Sequence, residues 1–164
     1  EAIRVNPERR STYAEIISFL VVEGNLEQAA VYYRLAFNQD QLESMWKIYF
    51  AIWVEALSLR SAGRSFDLAR GYLDKTSGKS WQERLAMYFT GRMDVATLRS
   101  HARNRGQEVE ADYYEALQHL AARRPETAAP LLQKVIDSDL VAFFEYRMAR
   151  ELLRELNGKT GGGQ

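Results

Sequence analysis

Apolar residues recur along this chain at intervals of three and four, the spacing that places side chains on one face of a helix. Tyr13, Ile16, Ile17 and Leu20 mark the first such stripe and predict a helix over residues 11–23. Further stripes predict helices over 26–38, 43–62, 66–75, 81–90, 94–103, 109–122, 126–137 and 140–156. The breaks between them carry turn residues: Gly24-Asn25, Gly63-Arg64-Ser65, Thr76 to Ser80, Gly91 and Asn104-Arg105-Gly106. Pro125 suits the first turn of a helix. Residues 1–7 read as the last turns of a helix stopped by Pro7. The few period-2 alternations are each explained by a neighbouring helical stripe, so no strand is expected.

The helices come in pairs with a repeating internal spacing. Gly24 stands five residues before Ala29, which is followed by Tyr33 and Ala36, giving Ala-x3-aromatic-x2-Ala. Ala2 precedes Ala36 by 34 residues, and Asn6 and Pro7 precede Asp40 and Gln41 by the same interval. Gly91 and Ala96 repeat the glycine-to-alanine spacing, while Ala69 with Leu73 and Ala128 with Leu132 repeat the four-residue step. Gly63 to Ala69 is one residue longer, so the second hairpin departs from the register. This pattern resembles the tetratricopeptide repeat, a helix–turn–helix unit with a 34-residue period. The fold it implies is all-α: a right-handed superhelix of stacked helical hairpins. The unpaired helix over 140–156 would cap its exposed end. A single domain is expected over 1–156, with a flexible tail over 157–164.

Composition narrows the function classes. Lys+Arg and Asp+Glu are both 22 among 164 residues, so the net charge is zero and a nucleic-acid partner is disfavoured. Cysteine is absent, which removes disulfides, thiol nucleophiles and cysteine metal sites. No apolar run approaches the twenty or so residues of a membrane-spanning helix, so direct membrane insertion is not expected. The chain begins at Glu1 rather than Met, the form expected of a mature or excised fragment.

Candidate chemistry is sparse. Gly78-Lys79-Ser80 matches the end of a phosphate-binding loop, but Leu73 stands where that loop needs glycine and no strand precedes it. It reads as an exposed turn. His101 and His119 lie on different helices without a second histidine or paired carboxylate at helical spacing, so neither a metal nor a catalytic set forms. His119 is expected on the inner face of its helix. Arg99, Arg103, Arg105, Arg123 and Arg124 read as a solvated face paired with Glu108 and Glu110, in preference to a patch for an acidic partner. No cofactor and no catalytic activity are expected.

The first helices of the hairpins carry the strongest binding signal. Aligning the turn glycines makes Ala14, Ser18 and Val21 equivalent to Trp53, Leu57 and Arg60. Trp81, Leu85 and Tyr88 follow, then Tyr113, Leu117 and Leu120. Each triplet is a single i, i+4, i+7 stripe. On a concave wall these aromatics and Arg60 are the residue types that anchor interfaces. The alternative is that the stripes form inter-helix core. The expected protein-binding residues are Trp53, Leu57, Arg60, Trp81, Leu85, Tyr88, Tyr113 and Leu117.

Two further stretches carry a narrower resemblance. Trp53-x3-Leu57-x5-Gly63 with Trp81-x6-Tyr88-Phe89-x-Gly91, and Ala111-Asp112-Tyr113-Tyr114-x-Ala116 with Phe143-Phe144-Glu145-Tyr146-Arg147, are similar to the NlpI-type lipoproteins of Gram-negative bacteria. That resemblance implies a periplasmic scaffold, tethered to the outer membrane and often dimeric, which recruits cell-wall hydrolases and a protease. Ala116 and Arg123 replace the family's usual glycines, and no lipobox cysteine is present. A cytoplasmic location is the runner-up. The expected function is a non-enzymatic adaptor for a protein or peptide. A structural segment of a secretion or pilus-biogenesis assembly comes second and a hydrolase last.

Overall fold

Local capping chemistry sets most of the helix starts. Asn25 Oδ1 accepts from the Gln28 amide at 3.1 Å and opens α2 (Leu26–Phe37). Ser80 and Glu83 form a reciprocal capping box at the start of α5 (Trp81–Phe89), where Glu83 Oε2 also accepts from the Lys79 amide at 2.7 Å. Asp94 caps α6 (Val95–Ser100) through the Thr97 amide at 2.8 Å, and Asn104 caps α7 (Arg105–Ala121) through the Gln107 amide at 3.0 Å. Pro125 is the first residue of α8 (Pro125–Asp137). Each such side-chain cap contributes about 1 kcal/mol. The computed structural model describes residues 10–160, which also form α1 (Arg10–Val22), α3 (Ser44–Ala62), α4 (Asp67–Leu73) and α9 (Phe144–Thr160). No strand occurs among the described residues.

The turns follow the chemistry expected of them, with one exception. Gly24, Gly63 and Gly91 adopt positive φ values of 74°, 65° and 79°. Arg123 stands where the pattern expects glycine and adopts the same left-handed conformation, with φ of 57°. That geometry costs a non-glycine residue roughly 1–2 kcal/mol.

The largest boundary differences from the sequence expectation lie in α7 and α9. Helix α7 begins at Arg105 rather than at 109, because Asn104 caps the helix that follows instead of ending the one before. Helix α9 begins at Phe144 and continues through Thr160, four residues into the segment expected to be a tail. Residues 140–143 form a turn, with the Phe143 amide bonded to the Leu140 carbonyl at 2.9 Å. The expected helix over 1–7 lies outside the described residues.

Successive helices pack as antiparallel neighbours, and the odd-numbered ones gather on the inside. Helix α3 touches α1, α2, α4, α5 and α7. Every residue from Ile48 to Ser58 is buried, so α3 is covered all round and forms the axis of the core. Tyr49 reaches Glu110 and Trp53 reaches Tyr114, both pairs 61 residues apart, so α3 and α7 run parallel. Helix α9 packs on α8 and α7 and returns to touch α1. The first and last helices of the described chain are therefore in contact, and the inner side of the stack is filled.

Candidate functional site

Seven of the eight residues expected to bind a partner are in the interior. Trp53, Leu57, Trp81, Leu85, Tyr88, Tyr113 and Leu117 are all buried. Arg60 is half-buried; it donates to the Val21 carbonyl at 3.1 Å and pairs with Glu155 of α9 at 3.7 Å. The stripes thus point where the groove was expected, but that space is occupied. Helix α3 packs directly on α7, α5 packs on both, and α9 packs on α7 and α1. Of the two sequence readings, inter-helix core describes these side chains in this structure. An open concave wall does not.

A polar network runs through the same interior. The Tyr49 hydroxyl donates to Glu110 Oε1 at 2.5 Å, and Trp81 Nε1 donates to Glu110 Oε2 at 2.6 Å. Gln82 Nε2 donates to the Tyr49 oxygen at 3.2 Å. Trp53 Nε1 donates to the Tyr114 oxygen at 3.0 Å, and Tyr114 donates in turn to Glu145 Oε1 at 2.9 Å. The Tyr49 and Tyr114 rings stack between the two halves, with centroids 6.3 Å apart and planes 20° from parallel. Both carboxylates are held by neutral donors.

Burial governs the electrostatics of this network. It raises the Glu110 carboxyl above the usual range, against the opposing effect of the Tyr49 and Trp81 hydrogen bonds. Burial, reinforced by the charge of Glu110, pushes Glu145 up to about 7. The Tyr113 and Tyr114 phenols are held well above their usual range by burial and then by Glu145. These phenols therefore act as hydrogen-bond donors rather than bases. Sequence reasoning had no place for this network. Its one legible trace was a pair of helical steps, Tyr49 to Trp53 and Glu110 to Tyr114, whose alignment needs the tertiary contact.

The remaining sequence candidates are scattered. His119 is half-buried on α7, with Nε2 at 3.9 Å from Glu115 and a buried Nδ1 that has no partner. His101 is exposed at the end of α6. Of the five arginines, Arg99 is ion-paired, but not with the expected carboxylates, and Arg105 donates to the Ser138 carbonyl at 2.6 Å. Arg99 bonds Asp112 at 2.6 Å and Glu115 at 2.5 Å, whereas Glu110 lies in the core with Tyr49 and Trp81. Lys79 lies in the turn that leads into the α5 capping box. Among the described residues no group of three or more acidic or histidine side chains is placed to hold a metal ion. No helix among them is long and apolar enough to cross a membrane.

The outer surface carries what the inner face does not. Helices α2 and α4 are joined by edge-on aromatic contacts, Tyr33 with Phe66 at 5.9 Å and Phe37 with Tyr72 at 5.2 Å. Beside these contacts lies an open groove of about 650 Å³ whose apolar lining includes Leu26, Ala30, Val31, Phe66 and Leu68. Val31, Leu35 and Leu68 are 42%, 45% and 39% exposed, the large aliphatic side chains left in water on this side. The Arg34 guanidinium lies over the Phe66 ring at 5.2 Å. Glu55, buried in α3, fixes this rim by accepting from the Phe66 amide at 2.7 Å. Burial raises its carboxyl above the usual range, and its second oxygen has no partner. A second groove of about 330 Å³ lies between α1 and α9, where Phe19 is 63% exposed beside Val22, Arg147 and Glu151. No family model matches the chain, and no curated protein or solved structure matches it at a significant level.

Proposed function

We propose that the protein is a non-enzymatic interaction module of the tetratricopeptide-like kind, and that it docks a protein partner along the outer groove between α2 and α4. The observation that carries this reading is the exposure of Val31 and Leu68 in the lining of that groove, with exposed Leu35 one turn beyond Val31. Val31 and Leu35 are one helical turn apart, so they present a continuous apolar edge to a partner segment. The groove is rimmed by Arg34, Arg64, Glu27 and Asp67, a mixed-charge rim of the sort that surrounds a dry interface centre. The rim is preformed by Phe66 and Glu55, so little ordering entropy is lost on docking.

The resemblance to NlpI-type lipoproteins extends the proposal to the cell envelope. There the partner would be a cell-wall hydrolase or a protease, and the protein a periplasmic or outer-membrane-tethered adaptor. A second reading, a structural segment of a larger assembly, is favoured by Phe19 alone, since its exposed ring on α1 offers a packing surface for a further helix.

The test is comparative capture from envelope fractions with the full chain and its Val31→Asp, Leu68→Asp double variant. The expected result is a protein retained by the wild-type chain and lost with the variant, while both chains melt at the same temperature. Equal retention by both chains would remove the groove from the interface. Replacing Phe19 by Asp with loss of the same protein would favour the second reading.

A further inference from the structure

Helix α9 lies on the inner face as a ligand would. The Phe144 ring packs edge-on against Trp46 at 5.9 Å and tilted against Trp53 at 5.8 Å. Glu145 Oε1 accepts from the Tyr114 hydroxyl at 2.9 Å, and Met148 Sδ accepts from the Tyr113 hydroxyl at 3.4 Å. Leu152 completes a small apolar gap with Val21, Leu57 and Leu117. These four residues of α9 form one stripe, at i, i+1, i+4 and i+8. Arg150 and Arg154 are exposed on the opposite side, while Arg147 lies over the Phe144 ring at 4.8 Å and pairs with Glu15 of α1. The surface that receives the stripe is made by α1, α3 and α7 and includes Val21, Trp53, Leu57, Tyr113 and Leu117, whose spacing suggested a binding wall, together with Trp46 and Tyr114.

The fit has one flaw. Glu145 enters an interior that already holds Glu110, and neither carboxylate meets a cation. Tyr113, Tyr114 and Glu110 face it from α7, and Tyr49 and Arg60 stand on α3. Arg60 is bonded to the Val21 carbonyl and to Glu155. From α1, Glu15 is paired with Arg147 at 2.9 Å, and from α8, Lys134 is paired with Asp112 at 3.5 Å. Two carboxylates buried among aromatic rings with neutral partners repel, and each loses hydration.

We propose that this inner face is a receiving groove for an amphipathic helix, occupied in cis by α9. The partner it fits is a separate helix with an aromatic residue, then a neutral amide in the place of Glu145, then Met or Leu four and eight positions after the aromatic. The amide carbonyl accepts from Tyr114 as Glu145 does, yet brings no second charge beside Glu110. The incoming helix competes with a tethered one, whose effective concentration over a short link is on the order of millimolar. The charge conflict is what lowers that barrier. This inference concerns a different surface from the α2–α4 groove and does not rest on it.

The conflict also sets the direction of a pH response. Docked α9 holds Glu145 at about 7, above its usual 4.5, so docking takes up a proton. Its hold is full below the usual carboxylate value and is lost as pH rises through about 7. Between pH 6 and pH 8 the hold weakens roughly tenfold.

The experiment uses the full chain and a fluorescent peptide of residues 143–158 carrying Glu145→Gln, which does not itself titrate at that position. Anisotropy is expected to show saturable binding at pH 8, roughly tenfold weaker at pH 6. In the chain, Glu145→Gln removes the conflict from α9 itself; peptide binding at pH 8 should then fall roughly tenfold and lose its pH dependence. Phe144→Ala in the chain loosens α9 and should strengthen binding. If that variant fails to fold, the wild-type and Glu145→Gln chains decide the matter by themselves. Absence of saturable binding to the wild-type chain at pH 8, or equal binding to the Glu145→Gln chain, overturns the proposal. A light-scattering mass of two chains, reduced to one by the peptide, would make a second copy's α9 the occupant and overturn it as well. The Val31→Asp, Leu68→Asp chain should bind the peptide as wild type does; loss there would place the peptide in the outer groove instead.

Discussion

The inner and outer faces of the hairpin stack are built from similar residues and end in opposite states. On the inner face, Trp53, Tyr113 and Tyr114 are buried against α9 and Trp81 is buried beside α7, and their polar atoms are bonded to one another or to Glu110, Glu145 and Met148. On the outer face, Val31, Leu35 and Leu68 remain in water although Tyr33 and Phe66 beneath them are in contact. The difference is one of closure. Helix α9 returns to α1 and packs on the inner face, whereas a groove stays open beside α2 and the start of α4. Aromatic content alone therefore does not mark the partner surface of such a stack.

The largest effect should come from breaking the inner face. Trp53→Ala removes a fully buried ring that contacts Tyr49, Phe50 and Phe144 and takes away the donor to Tyr114. It should cost about 3–5 kcal/mol, read by urea unfolding, and a loss below 1 kcal/mol would contradict the packing described.

Glu145→Gln sharpens the comparison through pH. The folded-state carboxyl stands above its unfolded value, so its stabilising contribution is full below about 4.5 and is lost as pH rises through about 7. The stability difference, wild type minus variant, should fall by on the order of 2 kcal/mol between pH 5 and pH 8. A rise over the same interval would reverse the sign of the argument.

Arg123→Gly tests the turn in which arginine stands where the repeat pattern expects glycine. Relief of the left-handed strain, set against the greater freedom of glycine in the unfolded chain, should raise stability by about 0.5–1 kcal/mol. Thermal melting would register a few degrees. A decrease would show that the Arg123 side chain, which reaches toward the Gly63 turn, holds the two turns together.

The outer face should respond least. Val31→Asp with Leu68→Asp replaces side chains already exposed to water, so folding stability should change by less than about 0.5 kcal/mol per site. A large loss would mean that the groove is closed in solution.

Much of the fold was legible because its signals are local. Asn25, Ser80 with Glu83, Asp94 and Pro125 mark helix starts by side-chain chemistry that acts within a turn. Gly24, Gly63 and Gly91 mark their ends by conformational freedom. Asn104 was misread because the same residue type serves as a stop or a start, and only the bond to the Gln107 amide decides between them. The candidate site was legible only in part. The stripes through Trp53, Trp81 and Tyr113 were placed on the correct inward face, but spacing along one helix carries no information on what covers it.

Contacts a few residues apart set the helices, their pairing into hairpins and the inward-facing stripes of the first helices, so these were readable from the chain alone. Tertiary structure decided the rest: that α9 returns to α1 and fills the inner face, that Glu110 leaves the charged surface for a buried partnership with Tyr49 and Trp81, and that Val31, Leu35 and Leu68 stay uncovered. Those outcomes depend on packing between residues far apart in the chain, such as Tyr49 with Glu110 and Arg60 with Glu155, and no short stretch of sequence records it.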